Sequence, residues 1–393
     1  MNGQVRAFSL QIMSQESRHD SRVLSAIKRL RQLGAAGAHG VELVETHFSW
    51  VFLLDGLAYK MKKPVRRGSM DYRSIARRER ACRDELRLNR RLARSVYLGV
   101  VSLVRRPSGG LELGRGRPLD WMVKMRRLPA ARMLDRAIAS NTVTRRDVKA
   151  LTDLLSHFFQ HARRRPMSSR AYLARLRAGV SENRRELCAR DLGLNHRRVE
   201  QVTRAQLEFI KESAALLGER GSHLIDGHGD LRAEHVYLGS RSDPACVIDC
   251  LEFDDDLRRL DPAEEMAFLG LECIQRGASD LGHRLLRRVQ MAAGDPVPDA
   301  LMYFYMSERA SIQAMIAAWH LRDANLPHEP RRWRARANYY LKDAMRHIQL
   351  ARVKLQQQVS PRMPPANASA AALPACARES VAQPARTAAQ SVV

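Results

Sequence analysis

Two aspartates occupy positions from which they can act together. Asp230 follows Asp226-Gly227-His228-Gly229 and precedes the apolar run Val236-Tyr237-Leu238, while Asp249 closes a second apolar run, Ala245-Cys246-Val247-Ile248. The spacing predicts loop, strand, turn, strand, loop, with the turn between Gly239 and Pro244. Pairing the two strands as a hairpin brings Asp230, before the first, close to Asp249, after the second. Two carboxylates converging at one end of a hairpin suit phosphoryl transfer, in which one orients and deprotonates a hydroxyl and another holds a divalent cation bridging nucleotide phosphates. Taken singly, an Asp in a turn and a His in a core are ordinary structural residues; it is their combination at this spacing that points to a reaction centre.

Lysine supplies the complementary charge. Only nine of the 67 basic residues are lysines, and three of them fall together at Lys60, Lys62 and Lys63. A cation on this strand would meet the α and β phosphates of a nucleotide. Lys60 and Lys62 share a strand face under period-two alternation, so both are candidates, with Lys60 preferred. The partner carboxylate is expected on the following helix, with Glu85 ahead of Glu79 because it opens the run Glu85-Leu86-Arg87-Leu88-Asn89-Arg90-Arg91-Leu92.

The elements that must position these groups are legible in the hydrophobic pattern. Trp50 to Leu54 and Leu57 to Met61 alternate as strands, and Asp55-Gly56 between them supplies the positive φ angles of a two-residue hairpin turn. Ser74 to Ala93 reads as a long charged helix, followed by strands over Val100 to Val104 and Asp120 to Met125. From Leu134 to about Gln357 helical spacing dominates, apart from the β-rich interval between Gly227 and Phe253. Asp261-Pro262-Ala263-Glu264 is a helix start, with the Asp as cap and the Pro in the first turn. Before all this, Val23, Leu24, Ile27, Leu30 and Leu33 define a short leading helix over Ser21 to Leu33. Beyond Val359 the chain turns rich in Pro, Ala and Ser and too poor in large apolar groups to fold.

Composition narrows the class. The apolar and charged fractions, 45% and 28%, are those of a globular protein with a real core. No run approaches the roughly 20 apolar residues of a membrane span, and no secretory pattern opens the chain, so a cytoplasmic protein is expected, with no membrane partner. The six cysteines show no CxxC pairing, which indicates neither zinc nor disulfides. A net charge of +25 raises the prospect of a nucleic-acid partner, but the arginines are scattered through nearly every helix, as a compositional bias leaves them. No GxxxxGK[ST] phosphate loop occurs, and no Gly-rich GxGxxG loop covers the lysine-bearing strands.

The segment His228-Gly229-Asp230-Leu231, with His235 seven positions after the first His and Val247-Ile248-Asp249 beyond it, resembles the signature of the aminoglycoside phosphotransferase-like kinases. The resemblance is closer to a bacterial branch of uncharacterised proteins in which such a domain is often followed by a P-loop ATP-binding domain. It rests on Glu45-Thr46-His47-Phe48-Ser49-Trp50-Val51-Phe52-Leu53, Tyr59-Lys60-Met61-Lys62-Lys63-Pro64, the Glu85 to Leu92 run and Asp249-Cys250-Leu251-Glu252-Phe253, and covers residues 41 to 275. It implies an α+β, protein-kinase-like two-lobed fold with a small mixed N-lobe and a large mainly helical C-lobe. The expected organisation is a polar N-terminus with leading helix over 1–40, a nucleotide-binding N-lobe over 41–128, a helical C-lobe over 129–358 with the catalytic loop and metal site within 226–256, and a disordered tail over 359–393. The P-loop half is absent from this sequence, which makes a separate P-loop ATP-binding protein a candidate partner.

The resemblance further implies that Asp230 is the catalytic base, that His228 braces its loop, and that Asp249 binds magnesium. The cofactors implied are ATP, or another nucleoside triphosphate, and Mg2+. It also implies that the Asp of Asp261-Pro262 ties its helix to the catalytic loop. One position departs from the family pattern: a second metal ligand, usually Asn, is here His235. Magnesium prefers oxygen, so Glu234 or Glu252 is expected to supply the missing ligand, or Mn2+ to replace Mg2+, or the site to bind nucleotide with little turnover. The expected activity is transfer of a γ-phosphate to a hydroxyl of a small molecule; the alternatives are a nucleotide-binding module without efficient chemistry and a basic nucleic-acid-associated protein. The acidic run Asp254-Asp255-Asp256 reads as solvated, or as an attractor of cationic substrate.

Overall fold

The computed structural model describes residues 42–46, 48–54, 56–67, 70–105, 111–322 and 329–359. The expected leading helix over Ser21 to Leu33 and the tail lie outside these residues, as do Asp55 and His47.

Six antiparallel strands build the first lobe: β1 (Glu42–Glu45), β2 (Ser49–Leu54), β3 (Leu57–Lys62), β6 (Tyr97–Arg105), β7 (Leu111–Leu113) and β8 (Pro118–Arg126), in the order β1-β2-β3-β8-β6-β7. A small side ladder, β4 (Arg66–Arg67) with β5 (Met70–Asp71), follows β3. Gly56, at φ +76°, makes the tight turn between β2 and β3. Helix α1 (Ile75–Asn89) begins where Ser74 Oγ accepts the backbone N–H of Arg77, and it packs across β8, β6 and β3. Register aligns Val51, Lys60 and Val123 in one row across three strands. Alternation therefore puts Lys60 and Lys62 on the same face as the buried Ala58, Val51 and Val123. The opposite face carries its own cluster of Trp50, Phe52, Met61, Leu103 and Met122.

The second lobe is helical: α2 (Leu134–Ala139), α3 (Arg145–His161), α4 (Ser169–Leu187), α5 (His196–Glu212), α6 (Ala214–Glu219), α7 (Pro262–Gln275), α8 (Ser279–Ala293), α9 (Asp299–Trp319) and α10 (Pro330–Val359). Helix α9 is its axle, packing along α10 and against α7 and α4. No described helix is long and apolar enough to cross a membrane. Two short ladders interrupt the helices. β9 (Ile225–Asp226) pairs with β12 (Arg259–Leu260), and between them β10 (Val236–Tyr237) pairs with β11 (Cys246–Val247).

That inner hairpin joins the lobes. Val236 and Val247 lie in the large helical core, while Tyr237, Cys246 and Ile248 lie in the core of the first lobe with Val51, Ala58, Val123 and Met125. Side chains alternate across a strand, so a hairpin that is apolar on both faces is the piece that two cores can share. The result is the α+β, two-lobed, protein-kinase-like architecture, a curled antiparallel sheet followed by a mainly helical lobe.

Candidate functional site

The hairpin places both aspartates at one end, facing the lysine strand. Lys60 Nζ lies 2.5 Å from Asp249 Oδ1 and 3.1 Å from Glu85 Oε1. Lys62 Nζ lies 2.5 Å from Glu85 Oε2 and also bonds Glu252 Oε1, which accepts a second hydrogen bond from Tyr72 Oη at 2.7 Å. The Glu85 carboxylate, wholly buried, is thus divided between the two lysines, one per oxygen. Glu79 instead pairs with Arg83 on the exposed face of α1, and Lys63 turns to Glu45 and the Trp50 ring.

The electrostatics follow from this alternation of charge. Burial alone would lower both ammonium groups, but Asp249 and Glu85 at Lys60, and Glu252 and Glu85 at Lys62, raise them well above the usual lysine range. Burial works against ionised Asp249 and Glu252 too, yet Lys60 and His235 hold Asp249, and Lys62 and Lys60 hold Glu252, below the ordinary carboxylate range. Asp230 goes the other way: burial raises its carboxyl, opposed by His235 and Arg232 and reinforced by Asp249.

Backbone geometry aims these groups. Asp249 has φ +61°, a left-handed conformation costly for a residue with a Cβ, and its N–H donates to Tyr97 Oη at 3.1 Å. Gly229 has φ +86°, and a Cβ there would meet Leu251 Cδ1 at 2.9 Å. His228 is braced from both sides of its ring: Nε2 donates to the Ile248 carbonyl at 2.9 Å, so Nδ1 accepts from the Asp230 N–H at 3.3 Å. Burial, then the neighbouring His235, lowers its pKa to about 3. His235 stands between the two aspartates, with Nδ1 2.9 Å from the Asp230 carbonyl oxygen and Nε2 3.7 Å from Asp249 Oδ2.

The structure brings Asp230, His228, His235, Asp249, Lys60, Lys62, Glu85 and Glu252 to one cleft. The carboxylate of Glu252 is engaged by Lys62 and Tyr72, and that of Glu234 pairs with Arg232 at 2.6 Å. The acidic run is solvated as well as locally paired: Asp254 caps the turn at Asp256 and Leu257, exposed Asp255 pairs with Arg258, and exposed Asp256 lies 3.8 Å from Arg165.

Supporting residues hold the loop and its flanks, and Glu265 among them carries no mark in the sequence. Glu265, one residue beyond the helix start weighed above, accepts the N–H groups of His228 and Gly229 at 3.1 and 2.5 Å, and burial raises its carboxyl to about 7. Asp261, expected to tie α7 to the catalytic loop, caps the helix and pairs with Arg220 at 2.6 and 2.7 Å and with Tyr305. Asn89 Oδ1 accepts the N–H of Cys250, and Arg91 donates to the carbonyls of Asp226 and Gly227. The Glu85 to Leu92 run therefore grips the segments on either side of the hairpin, before Asp230 and after Asp249. Its Leu-x-x-x-Leu spacing could have suggested a buried helix end, but not which polar groups turn inward.

The fold is two-lobed and kinase-like, with the charged cluster where the sheet meets the hairpin. No family profile matches the chain. It is 32% identical over 280 residues to uncharacterised proteins of Mycobacterium tuberculosis and Mycobacterium bovis, an alignment covering 70% of this chain and 54% of each relative. The chain thus spans about half the length of the curated relatives it matches. Among solved structures it is similar to a choline kinase from Streptococcus pneumoniae (14% identity, TM-score 0.47, 80% of this chain and 99% of that one). It is also similar to an amicoumacin kinase in complex with AMP-PNP and Ca2+ (10%, TM-score 0.47, 82% and 96%) and to a choline/ethanolamine kinase family protein from Mesorhizobium loti (12%, TM-score 0.44, 84% and 99%).

Proposed function

We propose that this chain transfers the terminal phosphoryl group of ATP, or of another nucleoside triphosphate, to a hydroxyl of a small molecule. The observation that carries the reading is Lys60, which bridges Glu85 of α1 and Asp249 of the hairpin across the cleft. A buried cation held by two carboxylates, beside a third carboxylate of raised pKa, is what positioning a polyphosphate and deprotonating an acceptor require.

In this reading Lys60 binds the α and β phosphates and Glu85 orients it, while Lys62 holds Glu85 from its other oxygen. The Asp230 carboxylate accepts the proton of the acceptor hydroxyl as its oxygen attacks the γ phosphorus; the bond to the β–γ bridging oxygen breaks and the nucleoside diphosphate leaves. His228, fixed as a neutral tautomer, shapes the loop without exchanging protons. Asp249 is the ligand for a divalent cation, which when bound neutralises phosphate charge. Among the described residues no group of three or more His, Cys, Asp or Glu side chains is arranged as a metal cage. A cation sharing its coordination sphere with phosphates and water fits such a sparse protein contribution.

Isothermal titration with a non-hydrolysable ATP analogue, with and without Mg2+ or Mn2+, tests this. Metal-dependent binding by the parent, with the metal increment lost in Asp249→Ala, is the expected result; absence of nucleotide binding under any metal sinks the proposal.

A further inference from the structure

Resting on that reading and deepening it, we infer that His235 is a nitrogen ligand of the cation site and that this site selects Mn2+ over Mg2+.

The argument begins with the ring's hydrogen bond. The Asp230 carbonyl oxygen, 2.9 Å from Nδ1, can only accept, so Nδ1 carries the hydrogen. In the neutral imidazole the lone pair is then on Nε2, the atom that faces Asp249. Metal-binding histidines are characteristically arranged this way, one ring nitrogen donating to a backbone carbonyl so that the other is fixed for the metal. The ring is held by more than that bond. His235 ends a single 3-10 turn, its N–H donates to the Arg232 carbonyl, and its side chain is only 10% exposed.

Across the gap, Asp249 Oδ2 is the oxygen that Lys60 does not contact, since the lysine sits on Oδ1. The 3.7 Å between Nε2 and Oδ2 is too long for a hydrogen bond. Two donors each about 2.1–2.2 Å from a shared ion are separated by up to roughly 4 Å, so the gap accommodates a cation bound to both atoms. An Asn at this position would offer an amide oxygen. An imidazole offers nitrogen, which Mg2+ accepts poorly and first-row transition ions accept well. The two carboxylates that could have replaced it are engaged elsewhere, Glu252 by Lys62 and Tyr72, and Glu234 by Arg232.

The test uses the full chain with the non-hydrolysable ATP analogue and Mn2+, read by pulsed electron paramagnetic resonance. The expected result is a 14N hyperfine coupling to Mn2+ that converts to 15N coupling when histidine alone is isotopically labelled. That readout needs neither a variant nor turnover. In His235→Asn the coupling disappears, and the preference for Mn2+ over Mg2+, measured by titration relative to the parent, falls by about tenfold. Metal-dependent nucleotide binding without histidine coupling overturns the inference and leaves the kinase reading standing. Coupling that persists in His235→Asn assigns the ligand to another histidine and also overturns it. If neither ion binds with nucleotide, both readings fall together.

Discussion

Asp230 carries a raised carboxyl beside His235, and this sets the pH behaviour of the proposed reaction. A base works deprotonated, so turnover should fall as pH drops through the Asp230 pKa, with the acidic limb above the ordinary aspartate range. His228 adds no limb near neutrality, since its pKa lies at about 3. Asp230→Asn should cost about 10²–10⁴-fold in kcat while nucleotide affinity changes little, read by steady-state kinetics beside titration. The residues proposed to react stood out for different reasons, the lysines because lysine is scarce and the two aspartates because their spacing implies a hairpin. Glu265 was not: beside Glu264 it is one of two acids in a helical first turn. Which of them reaches His228 and Gly229 is set by how α7 is rotated against the loop, and one sequence does not record that.

Between elements, α1, β3 and the hairpin are joined by an alternating chain of charges, from Asp249 through Lys60, Glu85 and Lys62 to Glu252 and Tyr72. Its members are mostly buried, so removing one partner strands another without solvent. Glu252→Gln should destabilise the fold by about 3 kcal/mol, and Tyr72→Phe by about 1 kcal/mol, measured by urea denaturation. Equal small losses would mean that Lys62 finds water instead. The longer elements followed from periodicity, with strands β6 and β8 running a few residues past the apolar runs that signal them. Ladders β4–β5 and β9–β12 escaped notice, because two-residue strands are too short to alternate and owe their pairing to the surrounding packing.

At the scale of the whole molecule, burial of carboxylates sets the response to acid and base. Asp249 and Glu252 have lowered pKa values, so the stability they contribute is present above about pH 4 and is lost as pH falls through their folded values. Glu308 on α9 behaves oppositely. Burial, and then Glu264, raise its carboxyl to about 8. The folded chain keeps that proton where the unfolded chain releases it, so the penalty grows from about pH 4.5 to about pH 8 and then levels off. Glu308→Gln should therefore stabilise the protein at pH 8 by roughly 1–3 kcal/mol, with the gain fading toward pH 4.5, as thermal melts at both pH values would report. The two-lobed plan was readable from the order of strand and helix patterns. The sharing of one hairpin between two cores was not, because its apolar runs look the same whether one core or two surround them.

The direct contact between Lys60 and Asp249 has a consequence for the order in which ligands are admitted. On the proposed reading, the lysine assigned to the phosphates is already neutralised by the carboxylate assigned to the metal, so each half of the site occludes the other. A bare triphosphate has to displace a carboxylate from Lys60, and a bare metal ion has to draw Asp249 from a lysine. A metal–nucleotide complex would satisfy both at once, which on that reading would make the site a coincidence detector for the pair. Removing the lock should expose this logic: in Asp249→Ala, metal-free nucleotide is expected to bind at least as tightly as it does to the parent, even as the advantage conferred by the metal disappears.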